Sequence, residues 1–161
     1  MIAVLDASAA VEVLLARPAG EEIAGLLAAA ELVLAPDLYV AEISNALWKH
    51  ARAAGQPASY SDLLDDAVSL PDDLVDSASL YREAFALSTA HNHPIYDALY
   101  LVVARRNNAG LLTVDRRLRS LAERLGVRVV GGWVQIRDLS AAHSCFQVRA
   151  GEVGALVEDR C

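Results

Sequence analysis

Cysteine is scarce in this chain. Its 161 residues hold two, Cys145 and Cys161, both late and without metal-ligand spacing. That speaks against a disulfide framework and a thiolate metal site, and leaves open whether the two are free thiols. No apolar run reaches the roughly 20 residues that span a bilayer. The N-terminus lacks the charged region, apolar core and cleavage site of a secretory signal. A cytoplasmic, thiol-reduced protein without membrane association is the expectation. Basic charge is also in deficit, with 14 Lys and Arg against 21 Asp and Glu, a formal net charge of −7. This argues against a basic coat for nucleic acid, though a local patch would suffice to grip one. No internal repeat is visible.

The composition, 55% apolar and 22% charged, is that of an ordinary globular chain, and the length suits one domain. Short apolar segments at 2–5, 32–37 and 110–115 read as strands, as does "VRVV" at 127–130. Between them lie helical patterns at 9–16, 21–31, 38–54, 60–70, 79–89, 95–108 and 116–126. Val40, Ile43, Leu47 and Ala51 mark the apolar face of the third, and "GQPAS" ends it. Residues 71–73 read as a turn. Strands alternating with helices imply an α/β fold with a mainly parallel sheet. After Gly131 and Gly132 the periodicity weakens, so residues 1–131 read as the domain and 132–161 as a C-terminal extension of uncertain structure.

Two strands end alike, "IAVLD" in Asp6 and "LLTVD" in Asp115. In a parallel sheet the carboxyl ends of strands share one edge, where ligands bind. Two further acids are odd in their own helices: Glu42 in "YVAEISNAL", and Asp97 in the most apolar helix, "IYDALYLVVARRNN". Each has an ordinary explanation. Asp6 and Asp115 could cap helices, with Ser8 another candidate cap, and Glu42 and Asp97 could answer a helix dipole. Together they suggest one acidic cleft. Unit charges about 4 Å apart repel by about 4 kcal/mol at an effective dielectric near 20, so such a cleft either holds protons or binds a hard cation. No His or Cys accompanies these positions at ligand spacing, which favours an oxygen-only Mg²⁺ or Mn²⁺ site and phosphodiester hydrolysis. Half of the basic residues fall between positions 105 and 128. Of these, Arg105, Arg106, Arg116 and Arg117 are candidates for gripping a nucleic-acid phosphate backbone, or for solvating helix surfaces.

The segments "VLDASAAVEVL", "APDLYVAEISNALWK", "HPIYDALYLVVAR" and "GLLTVDRRL" resemble the four acidic motifs of PIN domains, in the family's order over residues 1–130. The bacterial VapC-type toxins are the nearest likeness. The resemblance implies a three-layer α/β/α fold with a mainly parallel central sheet. It also implies a Mg²⁺- or Mn²⁺-dependent endoribonuclease, a homodimer, and a VapB-like antitoxin that docks over the site. By position Asp6, Glu42, Asp97 and Asp115 match the acidic quartet, catalytic and metal-binding, while Ser8, Asn45 and Thr113 match supporting polar residues. His91, His93 and His143 are expected not to be ligands, "HNHP" being a loop that enters the Asp97 helix, and Trp48 is expected in the core or an interface. Two other readings compete. One is a non-catalytic PIN-like module that binds RNA or protein. The other is a phosphatase of the haloacid dehalogenase type, which needs a second Asp where this chain has Ser8.

Overall fold

The computed structural model describes residues 1–55 and 60–131; the extension read from 132 onward, with His143, Cys145 and Cys161, lies outside them. Strand β1 (Ile2–Leu5) is followed by helices α1 (Ala7–Leu14) and α2 (Gly20–Ala28), then β2 (Leu32–Pro36). Helices α3 (Leu38–Ala54) and α4 (Ser61–Ser69) lead to β3 (Asp73–Val75). A 3₁₀ turn at Ser77–Ser79, α5 (Tyr81–His91) and α6 (Ile95–Arg106) lead to β4 (Gly110–Leu112), and α7 (Arg116–Arg124) follows.

The four strands are all parallel, in the order β3-β2-β1-β4. Parallel pairing requires crossovers, and the helices supply them. The chain adds strands outward from β1 to β3, then returns past β2 and β1 to place β4 on the far side. Right-handed crossovers made in opposite directions put their helices on opposite faces of a sheet. Accordingly α1 to α4 pack among themselves, while α5 packs on α6 and α6 lies across β2, β1 and β4. The result is an α/β/α sandwich.

Buried on both faces, β1 is wholly apolar, and Ala3, Val4 and Leu5 are fully buried. Ile43, Leu47 and Ala51 turn inward from α3, which ends at Gly55 in the left-handed conformation (φ 68°). Seven consecutive residues of α6, Ala98 to Ala104, are buried, as expected for a helix that crosses three strands.

Three local features depart from the sequence pattern. Helix α1 begins at Ala7, so Ser8 sits inside its first turn and is not its cap. The turn at 71–73 runs into a strand, β3, that the apolar pattern does not reveal. Asp72 anchors that turn, its N–H donating to the Val33 carbonyl (2.8 Å) and its Oδ2 accepting from the Val33 N–H (2.7 Å). Finally, "VRVV" forms one parallel bridge, Val129 with Leu111, in place of a full strand.

Candidate active site

The strand order reverses between β1 and β4, and the crevice at such a switch point is where parallel sheets take ligands. The pairing of Leu5 with Leu112 sets Asp6 beside Thr113 just past the strand ends. Asp6 is only 7% exposed, and its carboxylate does not cap α1. Its Oδ2 accepts from Thr113 Oγ1 (2.7 Å) and from Ser8 Oγ. Those two hydroxyls accept in turn from the backbone of the loop after β4: Thr113 Oγ1 from the Asp115 N–H (3.0 Å), and Ser8 Oγ from the Val114 N–H (3.2 Å). The buried hydroxyl of Thr113 and the half-buried one of Ser8 thus join the two loops and satisfy one oxygen of a buried carboxylate.

The other three acids arrive on helices. Glu42, on α3, accepts at Oε2 from the hydroxyl of Tyr100 on α6 (2.6 Å). Tyr100 is 1% exposed, and a buried phenol needs such a partner. Asp97, in the first turn of α6, lies with Oδ2 2.7 Å from His93 Nε2. An ionised carboxylate has no proton to give, so the imidazole is the donor. Asp115 caps α7, its Oδ1 accepting from the N–H groups of Arg117 (2.6 Å) and Leu118 (3.2 Å). For Asp115 the capping role is real, and it uses one oxygen.

Electrostatics ties the four together. Burial pushes the Asp6 carboxyl up to about 6, against the Ser8 and Thr113 hydrogen bonds, and the charges of Glu42 and Asp97 raise it further. Glu42 is raised by burial and by Asp97, with Tyr100 opposing. Burial also raises Asp97; His93 opposes, Asp115 adds to the rise and Arg117 counters it. Mutually perturbed carboxylates of this kind occur at functional sites and also in structural networks. Among the described residues, no three His, Cys, Asp or Glu side chains converge tightly enough to form a ligand set by themselves. Each carboxylate is drawn instead toward its own protein donor.

The supporting residues divide. Ser8 and Thr113 join the acids, whereas Asn45, one turn beyond Glu42 on α3, is exposed. The arginines divide as well. Arg116 and Arg117 stand exposed in the first turn of α7, beside Asp115. Arg105 and Arg106 end α6, so eight residues of helix place Arg105 about 12 Å along the axis from Asp97. Arg106 is taken up there by Glu83 Oε1 (2.6 Å) and the Ser79 carbonyl (3.1 Å). Trp48 is 56% exposed, with Arg52 over its ring, so it is not a core residue. Sequence reasoning missed His93 and Tyr100. The first lies in the segment before α6, four residues ahead of Asp97, and the second is a phenol in the buried stretch of α6.

The family model for the PIN domain matches residues 3–124. The chain belongs to the PIN-domain family. It is similar to Ribonuclease VapC3 of Pyrobaculum aerophilum, 33% identical over 118 residues that span 71% of this chain and 90% of that protein. Among solved structures this PIN domain is similar to PAE2754, also from Pyrobaculum aerophilum. That match has a TM-score of 0.61 and 27% identity, covering 75% of this chain and 87% of the other. No helix among its described residues is long and apolar enough to cross a membrane.

Proposed function

We propose that this PIN domain is an endoribonuclease that depends on a divalent cation and acts as the toxin of a toxin–antitoxin pair. What supports this reading is the electrostatic influence that the acids exert on one another, Glu42 and Asp97 on Asp6, Asp97 on Glu42 and Asp115 on Asp97, with Asp6 and Asp115 just past the ends of β1 and β4. The matched relative, a VapC ribonuclease, supports it.

The donor chemistry suits a hard cation. All four groups offer oxygen, and their repulsion is relieved by positive charge. Mg²⁺ needs only one or two protein carboxylates, with water and phosphate oxygens completing its shell, so a loosely gathered set fits it. Asp6, Glu42, Asp97 and Asp115 would hold Mg²⁺ or Mn²⁺, which supplies charge for polarising a phosphate and acidifying water.

The chain's own groups have defined tasks around this. Thr113 and Ser8 fix the Asp6 carboxylate, while Tyr100 and His93 fix those of Glu42 and Asp97. Arg116 and Arg117, exposed beside Asp115, offer their charge to phosphates of the RNA backbone. Arg105 and Arg106 stand at the other end of α6 from Asp97, where Arg106 is held by Glu83. Asn45 is exposed close to Glu42 and free to meet the RNA.

The same reading gives a cognate VapB-like antitoxin docked over the acidic edge, a cytoplasmic location and a homodimer. Tyr81, Phe85 and Tyr96 support the dimer: each is at least 50% exposed, and they cluster on α5 and the start of α6. Purified full-length protein should cut single-stranded RNA with Mg²⁺ or Mn²⁺, lose that activity in chelator, and lose it on Asp97→Asn. RNA that is bound but left uncut under all conditions means the binding-module reading is correct instead.

A further inference from the structure

Helix α3 carries more than Glu42. Ile43, Leu47 and Ala51 occupy its buried face, so its outward face runs through Asn45, Trp48, Lys49 and Arg52, all of them exposed. Trp48 lies six residues beyond Glu42, about 9 Å along the helix axis. Lys49 lies seven beyond, close to two full turns, and continues the line on which Glu42 stands. The other exposed side chains of α3 are alanines. Glu42, the one acid of the helix, is half-buried and turned to Tyr100. The outward face is therefore polar and basic, with one indole in it.

That basic charge runs against its surroundings. The first 80 residues hold thirteen acids and three basic residues, Arg17, Lys49 and Arg52. Arg17 is taken up by His50 (3.1 Å) and Glu12 (3.6 Å). Lys49 and Arg52 form no ion pair among the described residues, the exposed Asp62 and Asp65 of the neighbouring α4 included. The guanidinium of Arg52 instead lies 5.7 Å from the centre of the Trp48 ring, which steadies an indole that is 56% exposed. Single-stranded nucleic acid is bound by this combination: bases stack on the aromatic, and phosphates meet the cations. A protein partner fits less well, because it is met by a contiguous apolar patch. Tyr81, Phe85 and Tyr96 supply one on α5 and α6, whereas on α3 Trp48 stands beside Asn45, Lys49 and Arg52.

We propose that the outward face of α3 is the track along which single-stranded RNA runs from the acidic edge, with Trp48 stacking on one base and Lys49 and Arg52 meeting phosphates. The inference rests on the ribonuclease reading above and adds to it a path for the substrate.

The test measures the affinity of the full-length Asp97→Asn chain, in Mg²⁺, for a labelled single-stranded RNA that is remade with one base removed at a time. Loss of the base at one position should weaken binding about tenfold, within the range that one base stacked on an aromatic contributes. Trp48→Ala in the same background should weaken binding of the intact RNA by a similar factor. Removing that base should then cost nothing more, since both changes delete one contact. Trp48→Phe, which keeps a ring, should fall between. Lys49→Gln and Arg52→Gln should each flatten the slope of log affinity against log salt by about 0.7. The proposal is overturned if Trp48→Ala, shown folded by its thermal transition, binds intact RNA undiminished or still feels the missing base. A Trp48→Ala chain with unchanged RNA affinity but an altered mass in solution assigns the face to a second copy instead. Cleavage by the parent is read separately: RNA bound with the expected pattern but never cut overturns the ribonuclease reading and leaves the track standing.

Discussion

Thr113 Oγ1 stands 2.7 Å from Asp6 Oδ2, although 107 positions separate the two residues. The contact exists because β4 crosses back to pair with β1, so it measures whether the switch point is correctly closed. Thr113 is fully buried, and Thr113→Val removes its hydroxyl at nearly constant volume. A hydrogen bond to a charged group contributes about 1.5–3 kcal/mol. Chemical unfolding of the cation-free variant at pH 7 should show a loss of that order, with RNA cleavage reduced as Asp6 loses its orientation. At pH 4, where Asp6 carries its proton, the loss should shrink toward that of a neutral bond. A loss equal at both pH values would mean that the threonine serves packing alone.

Asp6 also gives the apo protein a pH signature. Its carboxyl rises from 3.8 in the unfolded reference to about 6 in the fold, chiefly through burial. Between these values the native state binds more protons than the unfolded one, so this group's contribution is fully present below about pH 4 and lost as pH rises through 6. The loss is on the order of 3 kcal/mol. Glu42 and Asp97 shift in the same direction. Urea titrations in chelator should therefore show parent stability falling over this window relative to Asp6→Asn. Mg²⁺ should restore stability more at pH 7 than at pH 4.5, because it competes with protons for these carboxylates. Parallel pH profiles for parent and Asp6→Asn would refute the shift.

The arginines offer a test of position. If Arg116 and Arg117 bind phosphates, their replacement by Gln should weaken single-stranded RNA binding. For every phosphate no longer neutralised, the slope of log affinity against log salt should flatten by about 0.7. Arg105→Gln, at the other end of α6, should leave that slope unchanged. Equal effects from both ends would show that the basic segment acts only as diffuse charge.

These contrasts mark what was legible in the chain. The acids at strand tips were readable because a parallel sheet brings the carboxyl ends of its strands to one edge, whatever the fold's detail. Strand β3 was not, since three residues after Pro71 carry too little pattern, and their pairing is decided by the neighbouring β2. The grouping of Arg105 with Arg116 treated nearness in sequence as nearness in space. A helix that carries Asp97 at its start and Arg105 at its end separates what its sequence joins. His93 and Tyr100 were hidden for the opposite reason: their role lies in which carboxylate each one meets, and only coordinates hold that information.

Away from the chemistry, Gly20 sets how closely two helices approach. Where α2 begins, a Cβ on this residue would sit 2.4 Å from the backbone carbonyl oxygen of Glu12 in α1. Backbone cannot turn aside as a side chain can, so α1 and α2 must separate to admit it. Alanine is otherwise the better helix former, by about 1 kcal/mol, so an unconstrained site would gain from the change. Overpacking typically costs about 1–3 kcal/mol, which outweighs that gain over most of its range. Gly20→Ala should therefore lower the denaturation midpoint while leaving cleavage per folded molecule unchanged, since the contact falls at Glu12, in the half of α1 away from Asp6 and Ser8. A midpoint raised by the substitution would show that the α1–α2 approach is looser than the 2.4 Å contact implies.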